Sequence, residues 1–252
     1  MGRYKLTLEY DGGPYLGWQL QEDGPSVQGR LEAALATLDG GPVRTHVAGR
    51  TDTGVHALAQ VAHADLRKDL PANRVKDALN ALLRPDPIAV LEAEAVGEDF
   101  HARFSATGRR YLYRFSDRRA DLALEAHRVW RVRGTVDLAA MQAAAQALVG
   151  THDFSTFRDT DCQAASPIKT LDRFDLVAAE GMAGPEVHCH LAARSFLHRQ
   201  VRSMVGSVVQ VGRGSWSLAD LVVARDARDR ARCGPVAPAH GLYLAGVSYG
   251  EG

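Results

Sequence analysis

Lysine is scarce in this 252-residue chain. Lys5, Lys68, Lys76 and Lys169 are the only four, so arginine supplies the other 26 of 30 basic residues. Cysteine is scarcer: Cys162, Cys189 and Cys233 stand far apart and form no C-x-x-C pair. An odd, sparse set argues against a disulfide framework and fits a reducing compartment. No apolar run approaches the length of a membrane span. The opening Met1-Gly2-Arg3-Tyr4-Lys5 runs straight into a strand-like segment without a signal-peptide pattern, and Leu6 stands where myristoylation needs Ser or Thr. A cytoplasmic protein is therefore expected. No G-x-G-x-x-G follows a strand-like segment, so a dinucleotide-binding fold has no support. Net charge is also lacking: 30 basic residues balance 30 acidic ones.

That balance is uneven along the chain. Residues 101–133 hold nine arginines against Asp117, Asp121 and Glu125, and residues 190–214 hold Arg194, Arg199, Arg202 and Arg213 with no acid. Coding bias explains a high Arg/Lys ratio but not two acid-poor basic segments. Arginine forks match phosphate geometry and stack on bases, so these segments predict an RNA footprint.

Hydrophobic periodicity predicts alternating strands and helices. Tyr4, Leu6, Leu8 and Tyr10 alternate as in a strand, and Ser26 caps a helix to about Leu38. Strands follow on both sides of residues 48–54, then a helix from Pro71 to before Pro85, then a strand over Ile88–Val96. In the second half, Arg110–Phe115 reads as a strand with Tyr111, Tyr113 and Phe115 on one face, and Asp137 caps an Ala-rich helix to about Val149. Ile168–Ala178 and Glu186–Arg194 read as paired strands around a Gly181–Pro185 loop. A helix from about His198 carries Val201, Val205, Val208 and Val211 on one apolar face. Ser217 with Asp220 opens a short helix to about Arg228, and Leu242–Tyr249 is a final strand. This order predicts an α+β protein of two mixed halves with largely antiparallel sheets, 1–105 and 106–252. His188 and His190 share one strand face without further ligands nearby, which reads as surface and not as a metal site.

The stretch richest in chemistry is Ala48-Gly49-Arg50-Thr51-Asp52-Thr53-Gly54-Val55-His56. It sets one carboxylate in a polar turn between two apolar runs. Gly49 and Gly54 flank it and permit positive φ or close approach of a ligand. Arg50 and Thr51 offer Asp52 a cation and a hydroxyl, both of which favour the carboxylate form. Accessible ionised aspartate is what nucleophilic carboxylate chemistry requires, although an Asp in such a turn commonly bonds its own backbone. Asp52-Thr53-Gly54 is also the aspartic-protease tripeptide. That chemistry needs two carboxylates sharing a proton, whereas only one such tripeptide is present and Arg50 opposes sharing.

The stretch resembles the A-G-R-T-D-x-G-V-H signature of the tRNA pseudouridine synthase A family. Tyr10-Asp11-Gly12, Gly17-Trp18-Gln19 and Ser26-Val27-Gln28-Gly29 resemble the family's amino-terminal pattern, and Asp99-Phe100-His101-Ala102-Arg103-Phe104-Ser105-Ala106 its central block. His152-Asp153-Phe154, Cys162-Gln163, Phe196-Leu197-His198-Arg199-Gln200-Val201-Arg202 and Ala237-Pro238-Ala239-His240-Gly241-Leu242 extend the likeness to the carboxyl end. Thr53 departs from the alanine common in the family.

The resemblance implies the pseudouridine-synthase fold with a cleft between its halves. It implies isomerisation of uridine to pseudouridine at positions 38, 39 and 40 in the anticodon stem-loop of tRNA, by a homodimer with no cofactor and no metal. Asp52 would be the nucleophile. Tyr111, the first tyrosine of Arg109-Arg110-Tyr111-Leu112-Tyr113, would stack on the base and serve the proton transfer at C5; by pattern alone, with Tyr113 and Phe115 on the same face, it reads rather as a core residue. Arg202 would pair with the carboxylate. Leu242 would pack under the base or simply fill a strand core. Arg50 would take the place of the displaced nucleotide or hold its phosphate, and Arg103, Arg109 and Arg110 would track the RNA backbone. A non-catalytic RNA-binding α+β protein is the alternative, though no RNP1-like run supports it.

Overall fold

The computed structural model describes residues 2–250. In chain order its elements are β1 (Gly2–Tyr10), α1 (Val27–Asp39), β2 (Thr45–Val47), β3 (His56–Leu66), α2 (Ala72–Leu82), β4 (Ile88–Val96), β5 (Ala106–Ser116), β6 (Trp130–Arg131), α3 (Leu138–Gln146), β7 (Gly150–Asp153), β8 (Ile168–Gly181), β9 (Gly184–Ala193), α4 (Gln200–Gly212), α5 (Leu218–Asp226) and β10 (Leu242–Tyr249). The chain is thus α+β with largely antiparallel strands, as its periodicity indicates.

Two compact units divide it. One runs to Arg109 and takes back the chain from Tyr243; the other is Arg110–Leu242. The expected seam at 105 lies close, but the last strand belongs to the first unit. The reason is pairing: Tyr243 and Leu244 lie beside His56 and Ala57 in a parallel ladder, which no local pattern reveals.

In the first unit the strand order is β4-β1-β3-β10, with β2 paired to β3. Tyr4, Leu6, Leu8 and Tyr10 of β1 are all buried, the period-two burial of a sheet with one covered face. Cross-strand Lys5 and Glu94 pair at 2.7 Å on the other face. Ser26 caps α1 by accepting from Gly29 N–H, and Gly40, at φ 81°, ends it. Val27, Leu31 and Leu35 of α1 are fully buried.

In the second unit the order is β5-β9-β8-β7, with β6 parallel to β5. The β8–β9 hairpin is longer than expected. Glu180 pairs with Pro185 and Gly181 with Gly184, so the turn is Met182-Ala183 and not Gly181–Pro185. Helix α3 stops at Gln146, short of Val149, and Gly150 at φ 110° begins β7. Helix α4 is buried around nearly its whole circumference, including Ser203, Gly206 and Ser207, and not on one valine face alone. A Cβ on Gly206 would lie 1.8 Å from Pro235 O, because the segment after α5 crosses directly over this small-residue face. Ser207 Oγ donates to Ser203 O at 2.8 Å and accepts from Gly234 N–H at 3.1 Å, so this buried hydroxyl is satisfied within the core.

Candidate active site

In the first unit the loop from Ala48 to Val55 joins β2 to β3. Asp52 is half-buried and Arg50 exposed. Val55 N–H bonds Asp52 O at 3.1 Å, closing a turn around the acid. Gly54 occupies the third turn position at φ 76°, where glycine alone is unstrained. Gly49 differs from expectation: its φ is not in the left-handed region, and a Cβ there would meet nothing within 4 Å.

The loop is pinned from behind by the other signature blocks. Trp18 N–H donates to Thr51 O at 3.0 Å. Gly17, at φ 97°, presses so close that a Cβ would lie 2.6 Å from that oxygen and 3.1 Å from Asp52 C. Gly17 O and Trp18 O in turn accept from Val27 and Gln28 at the start of α1, so the helix carries the loop through two residues. Thr51 Oγ1 bonds the Tyr10 hydroxyl at 2.8 Å, and Gln60 Nε2 reaches Tyr10 at 3.3 Å and Gly49 O at 2.7 Å. Burial pushes the Tyr10 phenol up to about 12, so it stays a neutral partner. A Cβ on Gly12 would meet Val55 O at 2.0 Å, and Gly12 N–H donates to His56 Nδ1 at 3.0 Å. Asp11 Oδ1 lies 3.2 Å from the same nitrogen, and the ring stacks on Tyr243 with centroids 4.8 Å apart. Arg109 Nη2 donates to both Ala48 O and Arg103 O at 2.9 Å.

In the second unit, Tyr111 on β5 is half-buried, its ring edge-on to Phe196 at 5.1 Å. Tyr113, two residues on, is fully buried and donates to Pro238 O at 2.9 Å. Burial pushes its phenol far up, with Arg202 opposing. The two tyrosines thus separate into a core residue and a half-exposed one, which alternation alone could not do. Arg202, half-buried on the first turn of α4, donates Nε to Ala237 O at 2.8 Å and accepts through its own carbonyl from Ala237 N–H at 3.1 Å. This doubly bonded register fixes the direction of the guanidinium. The start of α4 is itself held: Leu197 N–H donates to Gln200 Oε1 at 2.8 Å, and Arg199 pairs with Asp159 at 3.0 Å. Gly241 lies flat against the Tyr113 ring, and buried Leu242 follows it into β10.

Several arginines of the first basic segment are engaged within the protein. Arg114 is spent on Glu125 and Glu186 at 2.8 and 2.9 Å, and Arg118 and Arg131 on backbone carbonyls of residues 118–121 and 183. Arg103, Arg110, Arg128, Arg133, Arg194 and Arg213 are exposed. His188 bonds Glu186 at 3.1 Å and stands 6.3 Å from His190 between ring centres. Among the described residues no cluster of His, Cys, Asp or Glu has metal-binding geometry, and no helix is long and apolar enough to cross a membrane.

Asp52 thus lies on a loop of the first unit, and Tyr111 and Arg202 lie on β5 and α4 of the second. The sequence model of the family described as tRNA pseudouridine synthase matches residues 7–105 and 144–250. Proteins named tRNA pseudouridine synthase A are similar throughout. That of Maricaulis maris is 60% identical over 249 residues, covering 99% of this chain and 98% of the relative. That of Afipia carboxidovorans is 62% identical, covering 99% and 100%. That of Caulobacter sp. is 59% identical over 253 residues, covering all of both. The chain belongs to the tRNA pseudouridine synthase family.

Proposed function

We propose that this chain isomerises uridine to pseudouridine at positions 38, 39 and 40 of the tRNA anticodon stem-loop, with Asp52 as the nucleophile. The carrying observation is the Asp52 loop. It is held by Tyr10 through the Thr51 hydroxyl and by Trp18, Gln60 and Arg109 through backbone carbonyls, while the acid itself stays half-exposed. A fixed carboxylate on a rigid support is what a reaction dependent on positioning needs.

The reaction breaks the C1′–N1 bond, turns the base and joins C5 to C1′. The proton lost from C5 balances the one gained at N1, so nothing is consumed. Asp52 acts either at C1′ through a glycosyl ester or by way of a glycal. Tyr111 stacks on the base and carries the C5 proton, Arg202 pairs with the carboxylate, and Leu242 packs beneath the base. A uridine must leave its stack to reach Asp52, which costs a few kcal/mol; Arg50 fills the vacated place or holds the displaced phosphate. Arg103 and Arg110 follow the backbone, and Arg109 contributes by holding the carbonyls of Ala48 and Arg103. The enzyme works in the cytoplasm as a homodimer and needs no cofactor.

Mapping pseudouridine by carbodiimide adducts and primer extension on a tRNA transcript tests this. New stops at positions 38 to 40 are expected, and stops confined to another arm would overturn the anticodon assignment.

A further inference from the structure

Phe104 is 75% exposed, yet it does not sit on a loose loop. Ser105 N–H bonds His101 O, and His101 N–H bonds Ser105 Oγ, each at 2.9 Å. His101 Nδ1 accepts from Arg103 and Phe104 N–H at 3.1 and 3.3 Å, while His63 Nδ1 accepts from Ala102 N–H at 3.1 Å. Tyr249 and Arg109 hold the carbonyls of Ala102 and Arg103. A turn fixed at so many points dictates the exposure of its side chain.

The ring also ends a ladder. His46 stacks on His63 at 4.9 Å, His63 meets His101 at 4.7 Å, and His101 meets Phe104 at 4.3 Å. One side of Phe104 is thereby covered. The exposed guanidinium of Arg103 lies 5.8 Å from its centroid, and residues 101–110 contain three arginines and no acid.

We propose that Phe104 and Arg103 form a stacking site for one unpaired nucleobase of the RNA and its phosphate, tied to the Asp52 loop through the Arg109 guanidinium. The inference rests on the chain acting on RNA. A rigid aromatic face beside a guanidinium is how unstacked bases are received. The shared Arg109 donor sets that base at a fixed offset from the turn bearing Asp52.

The test compares wild type, Phe104→Ala and Phe104→Trp in the full chain. It reads tRNA binding at fixed salt, melting temperature, sedimentation and tritium release from C5-labelled tRNA. Phe104→Ala should weaken binding about tenfold or more at unchanged melting temperature and oligomeric state. Phe104→Trp should restore binding, and tRNA should quench its added emission. Wild-type affinity in the alanine variant would overturn the proposal. So would a loss that vanishes at concentrations restoring a dissociated oligomer, which would make the ring a contact with a second copy. A wild type that neither binds nor turns over tRNA would instead sink the RNA reading, and the stacking site with it.

Discussion

Replacing Gly17 by alanine should damage both stability and turnover, although Gly17 carries no side chain and is 35 residues from Asp52 in sequence. Two costs add. An L-residue at φ 97° is strained, by about 1–2 kcal/mol. The new Cβ would also lie 2.6 Å from Thr51 O, an oxygen already bonded to Trp18 N–H. Relieving that overlap moves a backbone segment, and overpacking of this kind costs about 1–3 kcal/mol. Together these lower the melting temperature by roughly 5–15 °C in a chain of this size. The atoms that must move include Asp52 C and Thr53 N, so the acid is displaced. A shift near 1 Å reduces turnover by about a hundredfold. Thermal unfolding and tritium release on the purified variant measure the two effects. Gly49→Ala is the control, since its Cβ would touch nothing and its φ is ordinary; its melting temperature should not fall. A Gly17→Ala variant with wild-type melting and wild-type turnover would refute the reasoning.

Three further outcomes follow from the same geometry. Arg114→Met leaves the buried carboxylates of Glu125 and Glu186 without their shared cation, so denaturant unfolding should show a loss of about 3–5 kcal/mol. His63 is held to about 4, by burial first and then by the neighbouring His101 and His46, against an ordinary 6.5. The folded chain therefore keeps it neutral, and the stability present above 6.5 drains away as pH falls toward 4. Melting curves across that window should fall more steeply for wild type than for His63→Gln. Arg50→Ala should lower single-turnover rate more than tRNA affinity; equal losses in both would make Arg50 a simple phosphate contact.

Much of the fold is legible because local chemistry sets it. The Ser26 cap, the Ser217–Asp220 capping box and the alternation of β1 stand where periodicity puts them. Long-range pairing is different. The return of β10 to β3 depends on contacts almost 190 residues apart in sequence, and the full burial of α4 depends on what crosses Gly206. For the proposed chemistry, resemblance picks out Asp52, Tyr111 and Arg202 by residue type. It cannot say why Tyr10, Gly12, Gly17 and Arg109 accompany them. The structure answers that these residues hold the Asp52 loop by a hydroxyl, two close backbone approaches and a shared guanidinium. The arginine count misleads for the opposite reason: charge is visible in sequence, whereas a guanidinium's partners, such as Glu125 and Glu186, are not.

The most direct test is tritium release from tRNA labelled at uridine C5, with wild type and Asp52→Ala side by side and tRNA binding measured on both. Release by wild type that vanishes in the variant, with affinity largely kept because phosphate contacts supply most of it, is the predicted result. Release at the wild-type rate from Asp52→Ala would contradict the assignment of this carboxylate as the nucleophile.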